Sequence, residues 1–266
     1  THFLEYRAAC ADMSDEITVK DILNYKASLE QPRSWYLTAL AGLLKKWHRL
    51  GYRGVSEEVV RLLDGMTLRG NQKGAAVVTM DPVMGPFSDT EVEALQDAID
   101  DAYADGSITD DEFLLARLFL ALGGRPEQYA SLKVCDVRRD STPQGDATYF
   151  IEMPRAKQRG KRSRTEFKSR ALIAQLGAPL TEYAKRVCRK YMTILSDPNQ
   201  APLFPQRSQR GDWADGFEYH QTAKALGRAL TKALGRLEVM SERTGEALNL
   251  PPIRFRRTLG TRAAQE

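Results

Sequence analysis

The chain has 266 residues, 42% hydrophobic and 28% charged, with a formal net charge of +4, which allows one or two domains with buried cores. It has no run of about 18 apolar residues, so no membrane-spanning helix is expected. Its opening, THFLEYRAACADMSDE, lacks the basic-then-apolar pattern of a signal peptide. Without an initiator Met, the natural start is expected upstream.

The first predicted elements are helices. Ile17 to Leu29 carries apolar residues at Ile17, Val19, Ile22, Leu23 and Leu29, with Asp21 near its start. Ser34 is placed to cap a second helix, in which Tyr36, Leu37, Leu40, Leu43, Leu44 and Trp47 recur at helical spacing. Trp35 and Trp47 are expected in its core. That helix ends in Lys45, Lys46, His48 and Arg49, which suit either a phosphate backbone or a solvated face. Ser56 with Glu57 and Glu58 starts a third helix, to about Leu63. Residues 1–68 thus read as a small helical bundle. From Arg69 to Phe87 the segment RGNQKGAAVVTMDPVMGPF is broken by Gly and Pro and shows no amphipathic period, so 69–87 reads as a linker.

A second domain is predicted over 88–266. Ser88 or Asp89 caps a helix that Gly106 can end, and Thr109 caps the next, whose Phe113, Leu114, Leu118, Leu120 and Leu122 should be buried. Asp89 to Glu112 holds ten acidic residues and no basic one, best read as a solvated face. Thr148–Met153 favours a strand, Gln158–Ser163 a polar turn, and Thr165–Leu172 a returning strand, making a β-hairpin. Arg155 to Arg170 holds eight Lys/Arg and one Glu, which favours nucleic acid over simple solvation. Helices follow at Leu180–Leu195 and about Phe217–Leu237, and a last one starts near Arg256. The fold class is mainly α with a small antiparallel β-hairpin. Cys10, Cys135 and Cys188 are scattered and odd in number, and His2, His48 and His220 are the only histidines. Neither a disulfide framework, nor a metal site, nor any cofactor is expected, and a reducing cytosol is the natural setting.

Three segments carry chemistry. In the first, ALGGRPEQYASLKVCDV (121–137), an apolar helix runs into Gly-Gly, then Arg125, then a short helical turn and an Asp-Val pair. Alone it fits a surface arginine beside a helix-capping glycine. The second is the basic hairpin, IEMPRAKQRG, with Lys157 and Lys161 at its turn; alone it fits a solvated turn. The third, PIRFRRTLGT (252–261), crowds Arg254, Arg256 and Arg257 at a helix start, where the dipole disfavours cations. An external anion such as phosphate would relieve that conflict.

Taken in this order over almost the whole chain, the segments resemble the conserved boxes of the tyrosine recombinases, the phage-integrase family. The resemblance implies a helical core-binding domain and a mixed catalytic domain, which hold opposite sides of double-stranded DNA and work as a tetramer on paired sites. It implies DNA recombination or integration, as in a mobile element or phage, by a cytoplasmic, nucleoid-associated protein of bacterial or phage origin. A tyrosine attacks a DNA phosphate to give a 3′-phosphotyrosyl link and a free 5′-hydroxyl. Arg125 and Arg256, 131 residues apart, fall on the two catalytic arginines, which clamp the non-bridging oxygens and stay protonated; one such donor is commonly worth roughly 3–4 kcal/mol. Lys157 falls on the lysine that protonates the leaving oxygen, with Lys161 a weaker choice. Thr258 and Thr261 match the framework of the last box. Lys45, Lys46, Arg49, Arg155, Arg159, Lys161, Arg162, Arg164, Arg243, Arg254 and Arg257 are the expected DNA contacts.

Three departures stand out. Ile253 occupies the usual histidine position and cannot donate a hydrogen bond or move a proton. Gln128 lies where an acidic residue often supports the first arginine. No tyrosine follows Tyr219, so the nucleophile is expected beyond Glu266; Tyr219 and His220 precede the second arginine and are not expected to catalyse. Two rivals remain: a non-catalytic DNA-binding protein that keeps this fold, and an unrelated helical regulator, which predicts Arg125 and Arg256 far apart.

Overall fold

The structure, a computed structural model, describes residues 2–10, 14–30, 33–68, 74–141, 145–155, 164–207 and 214–265. The chain divides into two compact units, Thr1–Ala75 and Ala76–Glu266.

The described residues of the first unit form four helices, α1 (His2–Ala9), α2 (Val19–Ser28), α3 (Trp35–Arg49) and α4 (Glu57–Gly65), with a single β-bridge between Ile17 and Val55. Helix α2 starts where Thr18 and Asp21 satisfy each other's free donors, Thr18 Oγ1 accepting from the Asp21 N–H at 3.2 Å and Asp21 accepting from the Thr18 N–H at 2.8 Å. Ser56 caps α4 through the Val59 N–H. Ser34, expected to cap α3, lies in helical conformation and makes no capping bond. Ile22, Tyr25, Leu37, Leu44, Val59 and Leu63 form the core. Trp35 and Trp47 do not join it. They are 41% and 43% exposed, Trp47 donating its indole N–H to the Arg53 carbonyl. The inward face of α3 is carried by the smaller Leu37, Ala41 and Leu44, and the two tryptophans fall on its outer side.

A single turn, α5 (Ala75–Val78), precedes the second unit's main elements: α6 (Asp89–Ala104), α7 (Asp110–Leu122), α8 (Pro126–Ala130), β1 (Val137–Ser141), β2 (Ala147–Pro154), β3 (Phe167–Leu172), α9 (Ala174–Tyr191), α10 (Ala223–Gly235) and α11 (Pro252–Gln265). Of the stretch expected as a linker, residues 76–87 belong to this unit. Phe87 is buried in its core, and the carbonyls of Gly85 and Pro86 accept hydrogen bonds from Arg254 and Arg243.

Helix α6 starts from a reciprocal cap, Ser88 with Glu91, and α7 from Glu112 accepting the Thr109 N–H at 3.1 Å. Their apolar faces meet α9, α10 and α11 around Leu95, Ile99, Leu118, Phe119, Leu180, Leu226, Leu230 and Phe255. The three strands form one antiparallel meander in the order β1-β2-β3. Only β2 has a buried run, Ile151, Met153 and Pro154; β1 (VRRDS) and β3 (FKSRAL) are almost wholly exposed. Helix α9 lies against the sheet at Gly177, where a Cβ would sit 2.2 Å from the Cβ of Tyr149. Only glycine permits that approach. Among the described residues, no helix is long and apolar enough to cross a membrane.

Candidate functional site

The turn between α7 and α8 fixes Arg125. Gly123 caps α7 in the left-handed region (φ 53°). The Gly124 N–H donates to the Tyr129 hydroxyl, which donates to the Leu118 carbonyl, both at 3.0 Å. Arg125 is extended at the start of α8, with Pro126 in the first helical position. Its backbone N–H donates to Gln128 Oε1 at 3.0 Å, and Gln128 Nε2 donates to the Pro154 carbonyl at 2.7 Å. Gln128 therefore supports the backbone of Arg125 and ties it to the end of β2. A carboxylate could accept the first bond but not donate the second.

Arg256 is delivered by α11, whose first turn is anchored from within. Arg254 is 0% exposed. Its guanidinium donates to the carbonyls of Gly85 (2.9 Å) and Asn249 (2.8 Å), lies 3.5 Å from Glu91, and stacks over the Phe87 ring at 4.1 Å. Thr258 accepts from the Phe87 N–H and donates to the Arg254 carbonyl, both at 2.9 Å. With α11 so held, Arg256 Nε donates to the Gly123 carbonyl at 3.2 Å. Gly123 is again required: a Cβ there would lie 2.8 Å from Leu259 and 3.1 Å from the Arg256 Cα.

Arg125 and Arg256 share one cavity of about 300 Å³, which Arg155, Lys168, Arg170 and Gln128 also line. Among the described residues no carboxylate lines it. Burial, and after it the nearby Arg125 charge, pulls the pKa of Arg256 down, while Glu127 and Tyr129 act the other way. An arginine stays protonated through such a shift, so the crowding instead makes the cavity attract anions. Tyr129 lies nearest this turn but is fully buried, with burial pushing its phenol pKa up; it is a structural residue.

The other expected residues separate sharply. Lys157, Arg159, Lys161 and Arg162 lie outside the described residues. Arg155 faces the cavity but pairs with Glu166 at 3.1 Å. Three of the expected DNA contacts have internal partners. Arg164 grips both oxygens of Asp136 (2.5 and 2.8 Å) and the Ser131 carbonyl. Arg243 holds Glu91 at 2.6 Å and the carbonyls of Met80 and Pro86. Arg254 is buried as described. Each is spent on internal partners. Arg257 donates to the Met84 carbonyl, and Lys45 pairs with Asp64 at 2.5 Å. Lys46 and Arg49 are exposed. Ile253 is 38% exposed in the first turn of α11. His220 lines a different cavity, with burial pushing its pKa down to about 4, so it is neutral at neutral pH. Lys168 and Arg170 were missed as individual site residues. The available signal was their i, i+2 spacing on a strand, which puts both on one face.

No family model matches the sequence, and no curated protein matches it. A solved structure does: the XerH site-specific recombinase bound to difH substrate, a pre-cleavage complex, aligns over 99% of this chain with a TM-score of 0.53 and 15% identity. The chain shares the fold of this recombinase. This chain spans 65% of the XerH chain's length. At 15% identity the likeness carries the recombinase-type architecture, a helical bundle followed by a mixed unit with a small sheet, and not the chemistry.

Proposed function

We propose that this protein is a site-specific DNA recombinase or integrase that cuts and rejoins strands through a 3′-phosphotyrosyl intermediate. The observation that carries this reading is that Arg125 and Arg256, remote in sequence, line one cavity with no carboxylate among its described residues. Two guanidinium forks suit the two non-bridging oxygens of a phosphodiester, and fixed charge stabilises the more anionic transition state. The likeness to XerH, a site-specific recombinase bound to its difH substrate, supports double-stranded DNA as the partner. Lys157 protonates the leaving 5′-oxygen, and the attacking tyrosine comes from sequence beyond Glu266. Lys46 and Arg49 of the helical bundle add backbone contacts. The working unit is a homo-tetramer on paired sites.

A second reading, a DNA-binding protein of this fold without turnover, is favoured by Ile253, which supplies no proton or hydrogen bond. One experiment separates the two. A polypeptide extended past Glu266 is incubated with nicked duplex DNA, and covalent adducts are resolved on denaturing gels. The recombinase reading expects an adduct that Arg125→Ala and Arg256→Ala each abolish while duplex binding largely persists. Adduct formation unchanged in both variants refutes the site, and DNA binding without any adduct selects the second reading.

A further inference from the structure

We infer that Lys168 and Arg170 form a second phosphate subsite beside Arg125 and Arg256, so that the cavity takes two neighbouring phosphodiesters of one nucleic-acid strand. The inference rests on the DNA reading above and deepens it.

Charge counting starts the case. A phosphodiester carries one negative charge and two non-bridging oxygens, which two arginine forks satisfy. The cavity offers Arg125, Arg256, Lys168 and Arg170. Among the described residues none of these four side chains has a carboxylate partner, whereas Arg155 beside them is neutralised by Glu166. The same unit pairs other arginines readily: Arg164 with Asp136, Arg243 with Glu91, Arg236 with Glu112 and Arg262 with Asp89. Two surplus cations in one concavity repel each other and the arginine pair unless a second anion enters.

Placement separates the two pairs. Arg125 and Arg256 come from the α7–α8 turn and from α11. Lys168 and Arg170 come from the edge strand β3, opposite Met153 and Ile151, and stand about 6.7 Å apart along it at ordinary strand rise. That row runs beside the arginine pair, as a subsite for the next phosphate must. Cations on an edge strand also discourage strand pairing, so the test must separate that role from phosphate contact.

Binding of the 266-residue chain to a fluorescent duplex is measured across a salt series. Each neutralised phosphate contributes about 0.9 to the slope of log K against log[salt]. The double variant Lys168→Ala/Arg170→Ala is expected to lose about 0.9 of slope, Arg125→Ala/Arg256→Ala about 0.9, and the fourfold variant about 1.8. The exchange Lys168→Arg/Arg170→Lys should keep the slope, which separates charge loss from misfolding. An unchanged slope in the β3 double variant overturns the subsite and leaves edge protection. A fourfold loss no larger than either double loss also overturns it, because all four cations would then share one phosphate. A flat salt response of the unaltered chain refutes the DNA reading itself.

Discussion

Glu91 holds the structure on which the site depends, and its replacement by Gln gives a quantitative test. Its side chain is fully buried and accepts from Arg243 (2.6 Å), Ser241 (2.5 Å) and the Ser88 N–H (3.1 Å), with Arg254 at 3.5 Å. Glutamine keeps the shape but removes the carboxylate paired with two guanidinium groups, one of them 0% exposed. Removing one partner of a buried ion pair costs about 3–5 kcal/mol, because the survivor stays buried and uncompensated. For a unit the size of 76–266, each kcal/mol lowers Tm by about 2–4 °C. Thermal melting followed by circular dichroism should therefore show a fall of about 6–20 °C. The pH dependence fixes the sign independently. Burial alone would raise the Glu91 pKa, but the hydrogen bonds from Arg243, Ser241 and Ser88 outweigh it, and the net shift is downward from 4.5. A carboxylate with a depressed folded pKa stabilises above its unfolded pKa, and that contribution is lost as pH falls through the folded value. The unaltered chain should lose part of its advantage over Glu91→Gln as pH drops below about 4.5. A Tm change under about 2 °C, or an advantage that grows on acidification, would refute this account of the network.

Other outcomes follow from the same geometry. Arg243→Gln should lower stability, since it removes the ion pair with Glu91 and the bonds to two carbonyls, yet leave the salt slope of DNA binding unchanged; a fall in slope of about 0.9 would restore Arg243 as a DNA ligand. Gly177→Ala drives a methyl into Tyr149 and should cost about 1–3 kcal/mol in urea unfolding, with no loss disproving the close approach of α9 to the sheet. His220, with a folded pKa of about 4 against 6.5 ordinarily, stays neutral when folded while the unfolded chain takes up a proton. Stability should thus fall as pH drops from about 6.5 towards 4, by up to about 3 kcal/mol. His220→Asn should flatten that window in pH-dependent melts, and an unaltered profile would remove His220 as its source.

The two key arginines were legible because their neighbours are local. Gly-Gly before Arg125 marks a helix end, and a Pro-started helix with three arginines marks an electrostatic conflict, which Glu91 relieves for Arg254 and an outside anion would relieve for Arg256. Strand β1 was not legible: VRRDS has no alternation and forms because β2 presents a partner edge, with Arg138 packing over Phe150. Nor was the starting point of α9, read at Leu180 though the helix begins at Ala174 and carries Pro179 within its first turns.

By itself, the sequence determined most of the helices, several of their caps, the strand pair β2–β3 and the two arginine turns, since these depend on residues within a few positions of one another. Tertiary structure decided which cations remain available. Arg164, Arg243 and Arg254 look like phosphate ligands in the sequence, but Asp136 and Glu91, distant in the chain, hold them inside. Lys168 and Arg170 are not singled out within the basic stretch of the sequence, but β3 lays them against the cavity, where among the described residues neither pairs with a carboxylate. The physical reason is that an arginine's partner is chosen by where the chain folds back, and neither local propensity nor composition encodes that meeting.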